Sequence, residues 1–231
     1  MRIEFNIYMK VIGAEIGAIL GIFQQISSLD NIYRGQRVDW FLTAKSKKKA
    51  MEKLIIRDEK LTDKAVYFLK KDLTSHPLVS KTMWSENGTQ LIVQNYLGSS
   101  IDNFCFSLVL AKEDDIDVRK VMNLLTEMIS RFEPKIITLE TEDYALKKRY
   151  VFPDRLPIGW LMYIGHAYGE GAFDLGDRAI DVNKSGESIG TLFLSKEGLF
   201  NGEDEQDIKT ANDLETLLAA HNVLPTYDEI F

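Results

Sequence analysis

Three strand patterns follow one another over residues 78–111, and they constrain the fold more than any other feature of the chain. Residues 78–84, 89–97 and 104–111 are rich in apolar, β-branched and aromatic side chains, and short polar stretches separate them. Asn87 and Gly88 lie in the first connection, and this dipeptide is a strong hairpin signal because both residues tolerate positive φ. Strands joined by such short turns run antiparallel. The sequence therefore predicts a meander within an antiparallel sheet.

The rest of the chain alternates between helical and strand patterns. Helical periodicity covers residues 11–26, 45–54, 61–73, 116–132 and 203–220. Further strand patterns cover residues 2–9, 37–44, 135–139, 144–152, 159–166, 179–182 and 190–195. This order predicts an α+β protein with a largely antiparallel sheet flanked by helices, and not a doubly wound parallel sheet. We expect a single domain over residues 1–231, with the glycine-rich stretch 169–176 as the one candidate boundary.

Two local features give more specific expectations for the helices. Gly13, Gly17 and Gly21 lie four residues apart in the first helical pattern, so we expect another element to approach that stripe closely. Asn201 precedes the last helical pattern, and we expect it to cap that helix. Trp40, Trp84 and Trp160 each fall in a strand pattern and are expected in the core.

Composition narrows the class of protein. Hydrophobic residues make up 45% and charged residues 27%, which is ordinary for a globular protein, and the longest apolar region is too short for a bilayer span. The single cysteine and the absence of a recognisable export signal predict a cytoplasmic protein. Residues 170–231 carry 14 acidic and 4 basic side chains, whereas residues 1–169 carry 21 and 24. This acidic portion argues against direct nucleic-acid binding and suits a basic protein partner.

Residues 150–164 form the most distinctive stretch. Two of the five prolines, Pro153 and Pro157, make a stiff corner between an aromatic segment and a second apolar strand. Asp154 and Arg155 lie between them and can form a local charge-assisted clasp. No catalytic template fits these residues, so we assign a structural role to the set Phe152, Pro153, Asp154, Arg155, Gly159, Trp160 and Tyr163.

Residues that carry chemistry elsewhere are scattered here. His76, His166 and His221 have no partner at metal-ligand spacing, and Cys105 lies in an apolar strand pattern where it is expected to be buried. No phosphate-binding, dinucleotide-binding or nucleophile motif is present. We therefore expect no enzyme activity, no catalytic residues, no metal and no cofactor. Glu140, with Glu142 and Asp143, is interpreted as part of a charged turn.

Several motifs along the chain resemble those of one family. Residues 149–163, RYVFPDRLPIGWLMY, carry a Phe-Pro-Asp-Arg motif and a Gly-Trp-x-x-Tyr motif. Trp40–Leu42 with residues 46–51, residues 190–194, and residues 211–215 leading to Leu224 and Pro225 extend the pattern over nearly the whole chain. In this order the motifs resemble the immunity protein 52 family of bacterial polymorphic toxin systems. Residues 164–169 depart from the family pattern, so we expect a different loop there.

The resemblance implies a non-enzymatic α+β protein that neutralises a cognate toxin encoded by a neighbouring gene. Family members typically accompany nucleases with a restriction-endonuclease-like domain, often delivered by contact-dependent or type VI secretion. We expect the toxin to contact acidic residues of the last third of the chain: Asp174, Asp177, Glu203, Asp204, Glu205 and Asp207. We do not expect the protein to bind nucleic acid or a membrane directly. Its sequence is compatible with either a monomer or a homo-oligomer. Two alternatives remain, a small hydrolase with a carboxylate pair in a deep pocket and an intracellular adaptor without a toxin partner.

Overall fold

The computed structural model describes residues 1–73, 80–95, 102–112, 115–169, 173 and 175–230. Within these ranges there are five α-helices: α1 (Ile16–Arg34), α2 (Lys47–Met51), α3 (Asp63–Leu73), α4 (Val118–Phe132) and α5 (Glu205–Ala220). The strands are β1 (Ile3–Lys10), β2 (Trp40–Leu42), β3 (Leu54–Arg57), β4 (Lys60–Leu61), β5 (Ser80–Ser85), β6 (Gln90–Asn95), β7 (Asn103–Val109), β8 (Ile136–Thr141), β9 (Leu161–Ile164), β10 (Ala179–Lys184) and β11 (Glu187–Leu194).

The described strands form one sheet in the order β10-β11-β9-β8-β1-β7-β6-β5-β2-β3-β4. Each neighbouring pair runs antiparallel, so the α+β prediction with an antiparallel sheet is confirmed. The predicted meander is present as β5, β6 and β7. Strands from both sides of the stretch 169–176 belong to this sheet, because β9 pairs with β11.

Three helices cover one face of the sheet. Phe5 and Ile7 of β1 belong to the larger apolar cluster, together with Phe23 of α1, Leu69 of α3 and Met128 of α4. Alternate residues of a strand point to opposite faces, so these three helices share one side. Burying a side chain such as phenylalanine or leucine stabilises the fold by roughly 1.5–3 kcal/mol. This cluster is therefore the principal core.

The opposite face is covered by α5 and the segment that follows it. Tyr8 of β1 and Met162 of β9 point to this side and belong to a second apolar cluster with Leu214 and Leu218 of α5. Leu224 and Ile230, beyond the helix, complete the cluster at the C-terminal end. The sheet is thus sandwiched between α1, α3 and α4 on one side and α5 on the other.

The first helix differs from its prediction. It begins at Ile16, after a 3-10 turn over Ile12–Ala14 in which Gly13 adopts a φ of +72°, a value that an α-helix cannot contain. The expected close approach at the glycine stripe is wrong for Gly17 and Gly21, because a Cβ added at either would meet no heavy atom within 4 Å among the described residues. Their side of the helix lies away from the sheet, where the glycines are exposed or half-buried.

Three other segments also fold differently from the sequence-based expectation. The helix expected over residues 45–54 is only α2, and β3 and β4 follow it as a short hairpin through Asp58 and Glu59, both at positive φ. Residues 144–152 form turns and not a strand, with Lys148 at positive φ. The cap of α5 is Asp204, whose carboxylate accepts hydrogen bonds from the Gln206 and Asp207 amides, and not Asn201.

In the ranges that the structure describes, no helix combines the length and the apolar character that crossing a membrane would require.

Candidate functional site

The corner at residues 152–163 packs into the interior. Gly159 adopts a φ of +61°, and a Cβ there would lie 2.9 Å from Glu140 Cβ and 3.1 Å from the Leu139 carbonyl. The Trp160 amide donates to that same carbonyl at 2.9 Å, and the Ser195 hydroxyl donates to the Gly159 carbonyl at 2.6 Å. Trp160 and Tyr163 are buried. Glycine at position 159 is therefore what allows the corner to lie against the end of β8.

Glu215 of α5 holds both ends of the corner. Its carboxylate accepts hydrogen bonds from the Val151 amide at 2.8 Å, the Ile158 amide at 3.0 Å and the Tyr144 hydroxyl at 3.2 Å. The residue is 1% exposed, and burial raises the pKa of its carboxyl although these hydrogen bonds act in the opposite direction. A buried carboxyl with this many donors acts as a clasp between the helix and the corner.

The corner also binds the C-terminal segment. The Arg155 guanidinium donates to the Leu224 carbonyl and lies 6.0 Å from the centre of the Phe152 ring. The Leu156 amide donates to the Pro225 carbonyl at 3.0 Å, and the Tyr227 amide donates to the Asp154 carbonyl at 3.1 Å. Arg155 and Asp154 thus fasten the C-terminal segment, whereas the sequence suggested a clasp within the corner alone. Pro153 is exposed at the tip.

The acidic residues at the start of α5 differ in their surroundings. Glu203 is exposed and forms an ion pair with Lys147 at 2.5 Å, and the hydrogen bond to that lysine lowers the pKa of the Glu203 carboxyl. Asp204 is the helix cap, and Glu205 is exposed in the first turn. Asp207 is buried and accepts hydrogen bonds from Lys196 Nζ at 2.7 Å and the Asn201 amide at 2.8 Å. Only Glu203 and Glu205 thus present side chains that are not needed to hold the helix start.

The other two predicted contact residues, Asp174 and Asp177, precede β10 in the chain. Asp177 is exposed in the 3-10 turn Gly176–Arg178, immediately before β10. Asp174 lies outside the described residues. The structure therefore brings Glu203, Asp204, Glu205 and Asp207 together at one helix start and places Asp177 in a different element.

A carboxyl pair on the sheet was not identified from the sequence. Glu4 of β1 lies directly opposite Glu140 of β8 in the strand register. Burial, followed by the nearby Glu4 charge, raises the pKa of Glu140 to about 7, and burial also raises the pKa of Glu4. The Arg2 guanidinium contacts Glu4 at 2.9 Å, and Glu140 accepts a hydrogen bond from the Ala145 amide at 2.8 Å. Raised pKa values of this kind occur in catalytic pairs and also in structural ones.

The histidines and the cysteine lie in separate places. His166 packs edge-on against Tyr168 at 4.7 Å, His221 packs against Phe173 at 5.4 Å, and His76 lies outside the described residues. Cys105 is buried, as expected, and burial raises the pKa of its thiol to about 12. Across the described ranges, His, Cys, Asp and Glu side chains do not gather in any group of three or more that could hold a metal ion.

Two adjoining clefts lie between the end of α1 and the start of α4. The first, of about 220 Å³, is lined mainly by apolar atoms, and the second, of about 250 Å³, by polar ones. Tyr33, Arg34 and Lys120 line both of them. Neither cleft includes Glu4 or Glu140, so the carboxyl pair and these cavities are separate features.

Similarity to known proteins is found only at the level of structure. No protein-family model matches the chain, and no curated protein matches its sequence. Among solved structures, the chain is similar to the Pseudomonas aeruginosa T6SS protein PA0821, with 10% sequence identity and a TM-score of 0.48. The alignment covers 96% of this chain and 75% of that one.

Three acidic residues, Glu215, Glu4 and Glu140, carried weak signals or none in the sequence. Glu215 lies on the buried stripe of α5 with Asp207, Ala211, Leu214 and Leu218, and a carboxyl on such a stripe predicts a buried hydrogen-bond partner. The Glu4 and Glu140 pair depends on the register of two strands that are distant in sequence, which no local pattern contains.

Proposed function

We propose that this chain is a non-enzymatic immunity protein that binds and neutralises a cognate bacterial toxin, with a nuclease effector as the toxin class. The observation that carries the proposal is the exposed pair Glu203 and Glu205 at the rigid start of α5. The motif resemblance over residues 149–163 also supports the proposal. The hydrogen bonds of that stretch join it to α5 and to the C-terminal segment, which fits a structural role for the motif.

The geometry suits an inhibitor of a basic surface. Asp204 caps the helix, and Asp207 is tied to Lys196 and Asn201, so the backbone that carries Glu203 and Glu205 is held in place before binding. A backbone that is already held in place loses less conformational entropy on association. Lys147 keeps the pKa of Glu203 low, so this side chain is charged at neutral pH. Carboxylates can replace phosphate on the DNA-binding face of a nuclease and speed association.

Co-expression with the candidate toxin of the neighbouring gene tests the proposal. Growth rescue and a co-purifying complex are the expected results. The absence of both would contradict the immunity function and would leave the adaptor role as the alternative. The double variant Glu203→Lys with Glu205→Lys is expected to weaken the complex by at least about tenfold, with a reduced salt dependence of the association rate. Asp204 and Asp207 are left unchanged because they hold the helix start.

A matched control separates local contact from net charge. Glu187→Lys with Asp228→Lys makes the same change in charge at two exposed positions, one at the start of β11 and one near the C-terminus. Wild-type affinity is expected for this control. If both double variants weaken the complex equally, only the overall charge matters and the α5 start is not the contact surface.

The carboxyl pair favours a second candidate function, a small hydrolase. Glu4 and Glu140 face each other, and a proton held on Glu140 beside an ionised Glu4 would resemble the acid and base pair of a hydrolase. Against it, Glu140 is 7% exposed and already accepts the Ala145 amide. Hydrolysis of glycoside or ester substrates that disappears in Glu4→Gln and in Glu140→Gln would favour this function over the first.

A further inference from the structure

The cleft between α1 and α4 has an apolar floor and an exposed apolar rim. Leu29 and Leu124 line the floor, and Gly35 ends α1 at one side. Ile32 lines the same cleft and is 63% exposed, so it adds apolar surface at the rim. Protein interfaces commonly combine such an apolar centre with a charged rim.

The size of the cleft indicates what it can hold. Sites for small molecules usually enclose about 300–1,000 Å³ and bury most of the ligand. The apolar cleft here measures about 220 Å³ and is open to one side, which suits one or two protein side chains better. A partner protein is therefore the more fitting occupant.

Two opposite charges lie on the rim of the cleft, one near the start of α4 and one two turns further along. Lys120 and Glu127 line the cleft and lie seven residues apart, two helical turns along the same face, with Asn123 and Leu124 midway between them. When two copies of a helix pack antiparallel about a two-fold axis through that midpoint, each Lys120 lies opposite the Glu127 of the other copy. Arg131 holds Glu127 through hydrogen bonds of 3.1 and 3.0 Å, which limits the positions that its carboxylate can occupy.

We propose that this surface is a homodimer interface, in which a second copy of the chain packs its α4 antiparallel to the first. Each Ile32 then inserts at the cleft of the partner, and two equivalent Lys120 and Glu127 ion pairs flank the axis. An isologous interface requires a self-complementary patch, and a cleft with an apolar knob at its rim is such a patch. A stable interface buries about 800 Å² per partner, so neighbouring parts of α1 and α4 contribute as well.

Solution mass and charge reversal test the proposal. The wild-type protein is expected to have twice the 26.4 kDa mass of the chain by light scattering at high concentration. Lys120→Glu and Glu127→Lys, each alone, place like charges opposite each other twice, and each is expected to weaken the dimer at least about tenfold. An equimolar mixture of the two variants is expected to form a heterodimer, and the double variant is expected to form a tighter dimer than either single variant.

Controls and contrary outcomes are available within the same helix. Arg119→Glu changes the charge of a neighbour whose side chain is 91% exposed and pairs with Asp117 of the same chain at 3.6 Å, and it is expected to leave the dimer unchanged. Far-UV circular dichroism and thermal midpoints check that each variant folds. A monomeric wild-type protein at every concentration would overturn the proposal, as would a mixture of single variants that fails to associate. If Ile32→Arg abolishes toxin binding while the wild type is a monomer, the surface belongs to the toxin and the proposal is wrong.

Discussion

Glu4 and Glu140 lie directly opposite each other on the central strands β1 and β8, on the face of the sheet that α5 covers in part. Like charges opposite each other on neighbouring strands destabilise a sheet. Arg2 contacts Glu4 at 2.9 Å, and the pKa of Glu140 is raised to about 7, so Glu140 is neutral at mildly acidic pH. The pair is therefore most stable when Glu140 carries a proton and Glu4 is ionised.

This arrangement predicts that the protein is less stable above neutral pH. The pKa of Glu140 rises from 4.5 to about 7 on folding, so the folded state binds more protons than the unfolded state between these values. The free energy of unfolding then falls as the pH rises through this window, by about 3 kcal/mol if no other group compensates. Glu140→Gln removes the ionisable group and is expected to flatten this dependence, as measured by urea unfolding at about pH 5 and about pH 8.

Glu4→Gln provides the comparison for that experiment. It removes the like charge and leaves Glu140 in place, so a smaller effect in the same direction is expected, because burial is the larger cause of the raised Glu140 pKa. If Glu140→Gln were equally destabilising at both pH values, the carboxyl would be acting only as a hydrogen-bond acceptor for Ala145.

A second prediction concerns the clasp at Glu215. Glu215→Ala leaves the Val151 and Ile158 amides without their buried acceptor, and each such loss costs about 1–3 kcal/mol. We expect the free energy of unfolding to fall by about 3 kcal/mol or more, with the midpoint of chemical denaturation as the measurement.

The neighbouring residue provides the matched control for Glu215. Thr216 is exposed, and its hydroxyl donates only to the Asn212 carbonyl of the same helix at 2.8 Å. Thr216→Ala is expected to change stability by no more than about 0.5 kcal/mol. If both variants lowered the free energy of unfolding equally, α5 would be sensitive to any substitution. The hydrogen bonds of Glu215 would then make no specific contribution to stability.

The sequence predicted the fold class because local patterns determine it. The meander of β5, β6 and β7 followed from Asn87 and Gly88 with three apolar runs, and α4 followed from its regular apolar stripe. The β3 and β4 hairpin was missed because its turn is made by Asp58 and Glu59 at positive φ, and no glycine or asparagine stands there to signal a hairpin.

The candidate site was predicted less completely, for a different physical reason. The motif at residues 152–163 was recognisable, but what holds it in place comes from residues far along the chain. Glu215 reaches it from α5, and Leu224 accepts the Arg155 guanidinium. Contacts at such separations depend on tertiary packing, which a local pattern does not encode. The acids near α5 were identified by type, whereas the burial of Asp207 became evident only with its partners Lys196 and Asn201.

A third prediction concerns Gly159. Gly159→Ala combines a φ of +61° with a Cβ only 2.9 Å from Glu140 Cβ and 3.1 Å from the Leu139 carbonyl, so the corner must shift away from β8. We expect a loss of about 2–4 kcal/mol, measured by thermal or chemical unfolding.

Gly176→Ala isolates the backbone part of that effect. Its φ is +51°, and an added Cβ would meet no heavy atom within 4 Å in the described part of the chain. A loss of about 1 kcal/mol is expected, from the left-handed conformation alone. Equal losses at positions 159 and 176 would show that the contact with Glu140 contributes nothing.

The fourth prediction concerns Arg155, which joins the corner to the C-terminal segment. Arg155→Ala removes the donor to the Leu224 carbonyl, so the adjacent bonds, from Leu156 to Pro225 and from Tyr227 to Asp154, should open more often. Hydrogen exchange of the Leu156 and Tyr227 amides is expected to accelerate by about tenfold or more, which corresponds to roughly 1.4 kcal/mol of local stability. Arg119→Ala, at an exposed site on α4, is expected to leave both amides protected. Unchanged exchange in Arg155→Ala would mean that the apolar packing of Leu224 and Ile230 alone holds the segment.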